Sequence, residues 1–434
     1  MRLARRSSSI ERSDRTPWGR IRVNRIATLF MPFAAGFFIT FVFRNTNAII
    51  SKDLALELDL NAADLGFLTS AYFLAFAFMQ IPAGVLLDRY GPRRVVVSLL
   101  AIAASGAYLF AVAESLVTLT IARALIGIGV SACLMGAFKA FALWFPLDRL
   151  ASLNGWVIAA GGLGALASTV PVDVATHLFG WRPMFIGLAG SAVLIGIWMF
   201  VAVPEKGSTG PQESWTGQFQ RVGTILTTRT FWQIGLPMAT VQAIYQANFG
   251  LWLVPWLMDT NGLDRATAAQ WLFWMALAST IGAIAYGTGG DYLATRGISR
   301  ITLYKAGTTI AVLAYFAQLI DFPGRLAVLI LYAFGAIAPT LAYALLTVRF
   351  PRAMSGRVTT AVNMTMFACI FLAQWGVGAM LRMFSTIDDR YSATAYNTAF
   401  LVLGFFQLIA LVWLLCLAND VPHSNAKGPP APVV

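Results

Sequence analysis

Twelve long apolar stretches constrain the fold of this 434-residue chain more than any other feature. A helix needs about 20 apolar residues to cross the hydrocarbon core of a bilayer. The stretches lie near residues 26–50, 64–87, 94–113, 116–143, 151–174, 182–203, 231–257, 266–289, 300–320, 325–348, 357–381 and 397–417. Only 12% of the residues are charged, which is about half the share in a soluble domain. The sequence therefore predicts an all-α integral membrane protein with twelve spans, which we number 1 to 12 in chain order.

The basic residues indicate which way the spans run. Of the 31 Lys and Arg residues, 22 lie on the side that carries the N-terminus, six lie on the other side and three lie inside spans. The positive-inside rule then predicts a multi-pass protein of the plasma or inner membrane with both termini in the cytoplasm. Eight arginines in residues 1–25 are expected to attract the anionic headgroups of the lipid bilayer. We assign the net charge of +12 to this surface and not to nucleic acid.

A loop pattern that occurs twice, about 200 residues apart, indicates an internal duplication. The first copy contains Gly84, Asp88, Arg89, Gly91 and Arg93, and the second contains Gly287, Asp291 and Arg296. Each copy forms a charged turn between two apolar stretches. The sequence thus predicts six-helix halves at 26–203 and 231–417, joined by a cytoplasmic linker at 204–230. The flanking segments are a basic cytoplasmic tail at 1–25 and a disordered cytoplasmic tail at 418–434.

These loops resemble the loop signature of major facilitator superfamily transporters, which occurs between spans 2 and 3 and again between spans 8 and 9. Arg123, Gly127 and Gly129 in span 4 resemble the second signature of that family. The resemblance covers residues 26–417. It implies two pseudo-symmetric six-helix bundles that work by alternating access. We expect a monomer that binds a small-molecule substrate and needs no cofactor or metal ion.

The resemblance also implies which residues act in gating. Asp88 is poorly placed at the C-terminal end of its own helix, where a carboxylate is unfavourable. It is expected to dock on the start of span 11, beside Arg357. By the internal symmetry, Asp291 would dock near the start of span 5, beside Arg149. Arg123 is assigned a structural or coupling role.

Arg44 is the most informative ionisable residue inside a span, because such residues are costly and are functional candidates by default. Asn47 follows one turn later on the same helix face. The surrounding sequence resembles the organophosphate:phosphate antiporter branch, in which an arginine of the first helix binds phosphate. That branch has a second arginine on helix seven, where span 7 carries Tyr245, Gln246 and Asn248 instead. One arginine with amide and phenol donors suits a monocarboxylate or another polar anion better.

Other polar residues in the spans have less specific roles. Arg44 and Lys139 are each interpreted either as substrate contacts or as side chains that snorkel towards the headgroups. Tyr343 is expected to line the cavity, because helices one, four, seven and ten do so in the resembled family. Asn363 and Gln374 of span 11 are expected to form hydrogen bonds between helices.

The leading hypothesis is a secondary transporter of a small anionic solute, by symport with H⁺ or by anion exchange. One alternative is an exporter of an amphipathic compound such as a siderophore or drug. Its apolar pocket would use Trp252, Trp256, Trp271 and Trp274, although tryptophans are more often interfacial anchors. Another alternative is a non-transporting membrane assembly or sensor protein, since a fold does not fix a function. An enzyme is not expected, because the sequence has no nucleophile–base set, metal cluster or phosphate-binding loop.

Overall fold

The computed structural model describes residues 26–204, 215–351, 354–387 and 390–417. Both predicted tails, at 1–25 and 418–434, lie outside the described residues, and so do residues 205–214 of the linker. The described chain is almost entirely helical.

Spans 1 to 6 follow one another with short connections. They comprise Ile26–Glu57, Ala62–Tyr90, Pro92–Val112, Leu116–Trp144, Leu147–Ala167 with Val170–Phe179, and Trp181–Ala202. Span 5 bends by 45° at the break between its two segments. Span 1 is longer than its apolar pattern, which stops at residue 50. The helix continues because Lys52 and Asp53, in its last turns, form ion pairs with the second half of the chain.

A linker helix, Trp215–Leu226, precedes the second set of spans. Spans 7 to 12 comprise Arg229–Ala247 continued by Asn248–Trp252 and Leu253–Asn261, then Arg265–Gly289, Arg300–Ala317, Arg325–Thr347, Ser355–Leu381 and Ala393–Leu415. Among the described residues, nine helices are long and apolar enough to cross a membrane, and the bent span 5 makes a tenth. Spans 7 and 9 are more polar, and they complete the twelve segments that the sequence predicts.

We name the two ends of the helix bundle after the chain segments that lie there. The terminal face is the end where span 1 begins and span 12 ends, and the opposite face is the other end. At the terminal face, Gly91 connects spans 2 and 3 with φ 81°, a backbone region that suits glycine. At the opposite face, Asp264 caps span 8. Hydrogen bonds from the side chain and backbone of Thr267 lower the pKa of the Asp264 carboxyl.

The two halves meet along two seams, one between spans 2 and 11 and one between spans 5 and 8, and span 1 also contacts span 7. In the 2–11 seam, a Cβ added to Gly378 would lie 2.3 Å from the carbonyl oxygen of Ala62. In the 5–8 seam, a Cβ added to Gly162 would lie 2.9 Å from Oγ1 of Thr280. Small residues allow membrane helices to approach this closely. The space between the seams, around the middle of span 1, contains the candidate site.

Candidate functional site

Arg44 lies at the centre of the molecule, and its side chain is only 8% exposed. Span 1 has 32 residues, so Arg44 is within about 4 Å of the helix midpoint. Its Cζ atom lies 4.6 Å from the ring centroid of Phe41, 5.2 Å from that of Phe367 and 5.6 Å from that of Phe76. A snorkelling side chain would extend towards a helix end, whereas Arg44 ends among rings from spans 1, 2 and 11.

The Arg44 guanidinium has no carboxylate partner within the part of the chain that the structure describes. Its Nε atom is buried and makes no hydrogen bond there. Removing a cation from water costs several kcal/mol unless another group compensates the charge. The ring faces compensate in part through cation–π attraction, which is worth about 0.5–2 kcal/mol. An anion from outside the chain would complete the coordination.

Arg123 of span 4 is a second buried cation close to the first. It is fully buried, and its Nη1 atom donates to the carbonyl oxygen of Phe43 over 2.8 Å. Its Cζ atom lies 5.0 Å from the ring centroid of Tyr72. The Nε and Nη2 atoms of Arg123 have no hydrogen-bond partner in the described chain. Tyr72 interacts electrostatically with both Arg44 and Arg123, so the two cations share one region.

Two hydrogen-bonded groups connect the halves beside Arg44. In one, the Gln246 side chain of span 7 donates to Oδ1 of Asn45 over 2.7 Å. In the other, Tyr343 of span 10 donates to Asn363, and Asn363 donates to Oε1 of Gln80 in span 2 over 3.2 Å. Asn363 thus makes the interhelical hydrogen bonds that its sequence position suggests. Of these groups, Tyr343 interacts electrostatically with Arg44, and Asn45 follows Arg44 directly in span 1.

Asn47 and Tyr245 have other partners than the sequence grouping suggests, and Asn248 makes no side-chain hydrogen bond within the described chain. Asn47 donates to Oγ1 of Thr69 over 3.1 Å, inside the first half. Tyr245 packs against Tyr332, with ring centroids 5.7 Å apart. The side chain of Asn248 lies near Tyr315, but neither its Oδ1 nor its Nδ2 atom makes a hydrogen bond in the described chain.

The geometry of span 7 explains this separation. Residues 245 and 248 are three apart and share a helix face, which is directed into the second half. Gln246 lies about 100° further around the helix and points to span 1. Helical spacing therefore shows that Gln246 faces away from Tyr245 and Asn248. It does so only once the structure has shown which way one of these side chains points.

The sequence profile of the Major Facilitator Superfamily matches residues 32–374, which is most of the chain. The chain belongs to the Major Facilitator Superfamily. It is therefore a multi-pass membrane transporter, as the loop signatures indicated.

The individual relatives of this transporter are distant in sequence. It is 24% identical to the hexuronate transporter of Escherichia coli, with 89% of this chain and 92% of the relative covered. It is 29% identical to a protein of Cupriavidus necator described as a probable sulfoacetate transporter. The aligned region comprises only 40% of this chain and 41% of that protein. Among solved structures, a bacterial homologue of the human lysosomal transporter Spinster matches with a TM-score of 0.73 and 16% identity, covering 89% of this chain and 95% of that one. The structural likeness shows the fold.

Asp88 of this facilitator lies between two cations at the terminal face. Its Oδ1 atom is 2.7 Å from Nζ of Lys139, and its Oδ2 atom is 3.9 Å from Nη2 of Arg357. Lys139 also donates to the carbonyl oxygen of Leu87. Lys139 thus contacts residues of the first loop signature at the terminal face and not the Arg44 region. A helix position does not reveal which carboxylate a long lysine side chain reaches.

The other residues of the loop signatures lie near the same face. Arg89 packs over the ring of Tyr90 and Arg93 over the ring of Phe200, while Arg296 packs over Tyr292. Gly84 lies within span 2, Arg149 is exposed near the start of span 5, and a Cβ at Gly287 would meet nothing within 4 Å. The side chain of Asp291 lies outside the described residues, so its predicted docking beside Arg149 stays a prediction.

Ion pairs join the two halves of this facilitator at the opposite face. Lys52 of span 1 pairs with Asp259 of span 7. Arg265, at the start of span 8, lies 2.7 Å from Asp53 of span 1 and 2.7 Å from Asp173 of span 5. These contacts connect the two halves at the opposite face. Sequence reasoning did not find them, because nothing in the sequence tells which helix ends meet across the halves.

The remaining candidates do not add a second site. Trp252 and Trp256 are buried in the protein core, whereas Trp274 is 48% exposed. The indole nitrogen of Trp252 donates to the carbonyl oxygen of Gln374 over 2.8 Å. Within the described ranges, no three His, Cys, Asp or Glu side chains are placed to hold a metal ion. Asn45, Tyr72 and Gln80 were missed, although each is a polar residue inside an apolar stretch.

Proposed function

We propose that this transporter carries a small organic anion and binds its carboxylate or sulfonate group at Arg44. The observation that carries the proposal is the position of this guanidinium. It is buried near the middle of span 1, and no described carboxylate pairs with it. A planar guanidinium forms strong paired hydrogen bonds with oxyanions. A buried cation has lost the water that would solvate it, and an anion bound there would compensate its charge instead.

The groups around Arg44 favour a substrate with hydroxyl groups. Gln246 with Asn45, and Tyr343 with Asn363 and Gln80, offer donors and acceptors from both halves. When a sugar acid enters, its hydroxyl groups would form hydrogen bonds with these side chains in place of the bonds that the side chains make with one another. The hexuronate transporter of Escherichia coli among the relatives agrees with this chemistry. We therefore propose a hydroxylated monocarboxylate as the substrate class, with Arg44, Gln246 and Tyr343 in contact with it.

We further propose that the halves 26–203 and 231–417 rock about this site. Asp88 with Lys139 and Arg357 forms the gate at the terminal face, and the Arg265 ion pairs form the gate at the opposite face. Most Lys and Arg residues lie on the terminal face, so we place it in the cytoplasm of a cell whose plasma or inner membrane holds the protein. The basic segment 1–25 would then contact anionic lipids. We propose a monomer that transports without catalysis or a cofactor.

Thermal unfolding of the purified protein tests the substrate class. The panel contains D-glucuronate, sulfoacetate, neutral D-glucose and a bulky cationic drug. We expect D-glucuronate to raise the melting temperature, because a ligand that binds only the folded state stabilises it by about 2.7 kcal/mol at 100 times its Kd. Arg44→Gln should lose this shift. Arg325→Gln should keep it, because Arg325 is equally buried but is hydrogen bonded to Asn261 and Asp321 at the opposite face.

Two results would contradict the proposal. Stabilisation by the drug alone, unchanged in Arg44→Gln, would favour the exporter of amphipathic compounds. An anion shift that survives in Arg44→Gln but disappears in Arg325→Gln would place the anion site elsewhere.

A further inference from the structure

Aromatic side chains from both halves of the protein surround the Arg44 guanidinium. The face of an aromatic ring attracts a cation, and the attraction is stronger where water is excluded. Arg44 is 8% exposed and Phe367 is 3% exposed, so little water reaches the contact between them. The aromatic residues that interact with Arg44 are Phe41, Tyr72 and Phe76 of the first half and Tyr343 and Phe367 of the second half. An arginine of the first half is thus attracted in part by rings of the second half.

Phe367 carries this attraction across the 2–11 seam. It lies in span 11, and its ring centroid is 5.2 Å from Cζ of Arg44. The same ring packs against span 2, with its centroid 4.2 Å from that of Phe76 and 6.2 Å from that of Phe73. Tyr343 differs from Phe367, because a phenol can donate a hydrogen bond to an oxyanion. The Phe367 ring has no such donor, so it attracts the cation without binding the anion.

A carboxylate bound at Arg44 weakens the attraction between the guanidinium and the ring. Its negative charge lies against the N–H groups of Arg44 and offsets much of the positive charge that the ring face attracts. The ring and the anion therefore compete for one cation, although they need not occupy the same space. The ring lowers the affinity of the empty site for the anion, and the anion lowers the attraction between Arg44 and span 11. These two effects are equal in free energy, because coupling between two interactions is reciprocal.

From this geometry we infer that Phe367 is a positioning residue that couples the occupancy of Arg44 to the 2–11 seam. In the empty protein, the ring attracts Arg44 of the first half towards span 11 of the second half. When the carboxylate of a substrate binds, this attraction weakens, and the halves separate more easily between spans 2 and 11. The inference rests on the proposed function, since it requires an anion at Arg44.

A fluorinated phenylalanine tests the competition while it nearly preserves the shape of the ring. Fluorine atoms withdraw electrons from the ring face and so weaken its attraction for a cation. Trifluorophenylalanine is incorporated at Phe367, and the binding of D-glucuronate is measured by titration of the purified protein. We expect the Kd to fall about 2- to 5-fold, because the empty cation loses more attraction than the loaded one does. Phe367→Leu, which has no ring, should shift the Kd in the same direction. A Kd at or above the wild-type value in both variants would overturn the inference.

Phe73 provides the matched control for contacts between rings. Its ring stacks on that of Phe367 with an angle of 18° between the planes. Within the described chain, the Arg44 guanidinium lies over the rings of Phe41, Phe76 and Phe367 and not over that of Phe73. Trifluorophenylalanine at Phe73 changes the packing of rings across the seam but not the attraction for the cation, so the Kd should stay at the wild-type value. A fall as large as that at Phe367 would overturn the inference, because ring packing would then set the affinity.

Spin labels across the seam test the coupling itself. Phe78 of span 2 and Leu372 of span 11 are both exposed and lie near the middle of their helices. In a background without the native cysteines, D-glucuronate should shift the distance between labels at these positions to larger values. Trifluorophenylalanine at Phe367 should shift the empty protein in the same direction and reduce the further effect of D-glucuronate.

Phe41 is the control for this measurement. Its ring centroid lies 4.6 Å from Cζ of Arg44, but both residues belong to span 1. Trifluorophenylalanine at Phe41 should therefore lower the Kd and leave the label distance of the empty protein at the wild-type value. Equal distance shifts from Phe41 and Phe367 would contradict a role for Phe367 between the halves.

The outcomes also separate this inference from the proposed function. If D-glucuronate does not bind the wild type, or binds Arg44→Gln equally well, the proposed function fails and the inference fails with it. If D-glucuronate binds the wild type and not Arg44→Gln, while the variants at Phe367 bind it as the wild type does, only the role of Phe367 fails.

Discussion

At the scale of single residues, Asp88 is the side chain whose partners predict a kinetic effect. It lies 2.7 Å from Lys139 in its own half and 3.9 Å from Arg357 in the other half. Asp88→Asn removes both charge pairs and weakens closure of the terminal face. Partly exposed ion pairs are worth about 0.2–1 kcal/mol each, so we expect the loss of both to lower turnover roughly 2- to 30-fold. The dissociation constant, measured by ligand titration, should stay unchanged, because Asp88 is at the end of span 2 and Arg44 is near the middle of span 1.

Two further variants show which partner matters. Lys139→Gln leaves the pair of Asp88 with Arg357 in place, so its turnover should fall less than that of Asp88→Asn. Asp321→Asn removes an exposed carboxylate paired within its own segment, and it should transport at the wild-type rate. Wild-type turnover in Asp88→Asn would remove Asp88 from the gate.

The same residues show what sequence reasoning can and cannot supply. The cost of an ionised group inside a span identified Arg44, Arg123 and Lys139 without any structure. The sequence did not show which group the ammonium of Lys139 contacts, because a lysine side chain can reach a carboxylate one or two turns along a neighbouring helix. For Tyr245 and Asn248, helical spacing gives relative directions only. The absolute direction follows from packing against spans 9 and 10, which is set in three dimensions.

At the scale of helices, the 2–11 seam offers a matched pair of glycines on span 11. A Cβ on Gly378 would meet the carbonyl oxygen of Ala62 at 2.3 Å, whereas a Cβ on Gly376 would meet nothing within 4 Å. Gly378→Ala should push the two spans apart at the opposite face, since overpacking typically costs about 1–3 kcal/mol. Gly376→Ala should be neutral or stabilising, because alanine favours a helix by about 1 kcal/mol over glycine.

Spin labels at Leu56 and Met383, both exposed near the opposite face but in different halves, provide the measurement. In a background without the native cysteines, Gly378→Ala should shift the label distances to larger values, and Gly376→Ala should leave them as in the wild type. Identical distance distributions in both variants would show that this contact does not hold the face closed.

Helix bounds show the limit of hydropathy at this scale. The apolar pattern ends span 1 at residue 50, yet the helix runs to Glu57. Polar residues at a helix end look like a loop in the sequence when their partners are more than 200 residues away, as Asp259 and Arg265 are. By contrast, spans 3, 4 and 8 begin within about two residues of their apolar stretches, and each start is preceded by a local signal in the structure, at Gly91, Ser115 and Asp264.

At the scale of the whole molecule, Arg265 ties three spans together across the halves. It lies 2.7 Å from Asp53 of span 1 and 2.7 Å from Asp173 of span 5. Arg265→Gln removes both pairs, which together are worth about 0.4–2 kcal/mol. That energy corresponds to roughly a 2- to 30-fold change in the ratio of closed to open states at the opposite face. The labels at Leu56 and Met383 should report the larger open population.

Arg182→Gln is the matched control for this change. Arg182 pairs with Glu57 over 2.9 Å at the same face, but both residues belong to the first half. Its loss removes an ion pair of similar exposure without releasing one half from the other, so the label distances should stay at wild-type values. High salt should reproduce part of the Arg265→Gln shift in the wild type, because it screens partly exposed charges. If Arg182→Gln opened the face as far as Arg265→Gln, pairing across the halves would not be what holds the opposite face closed.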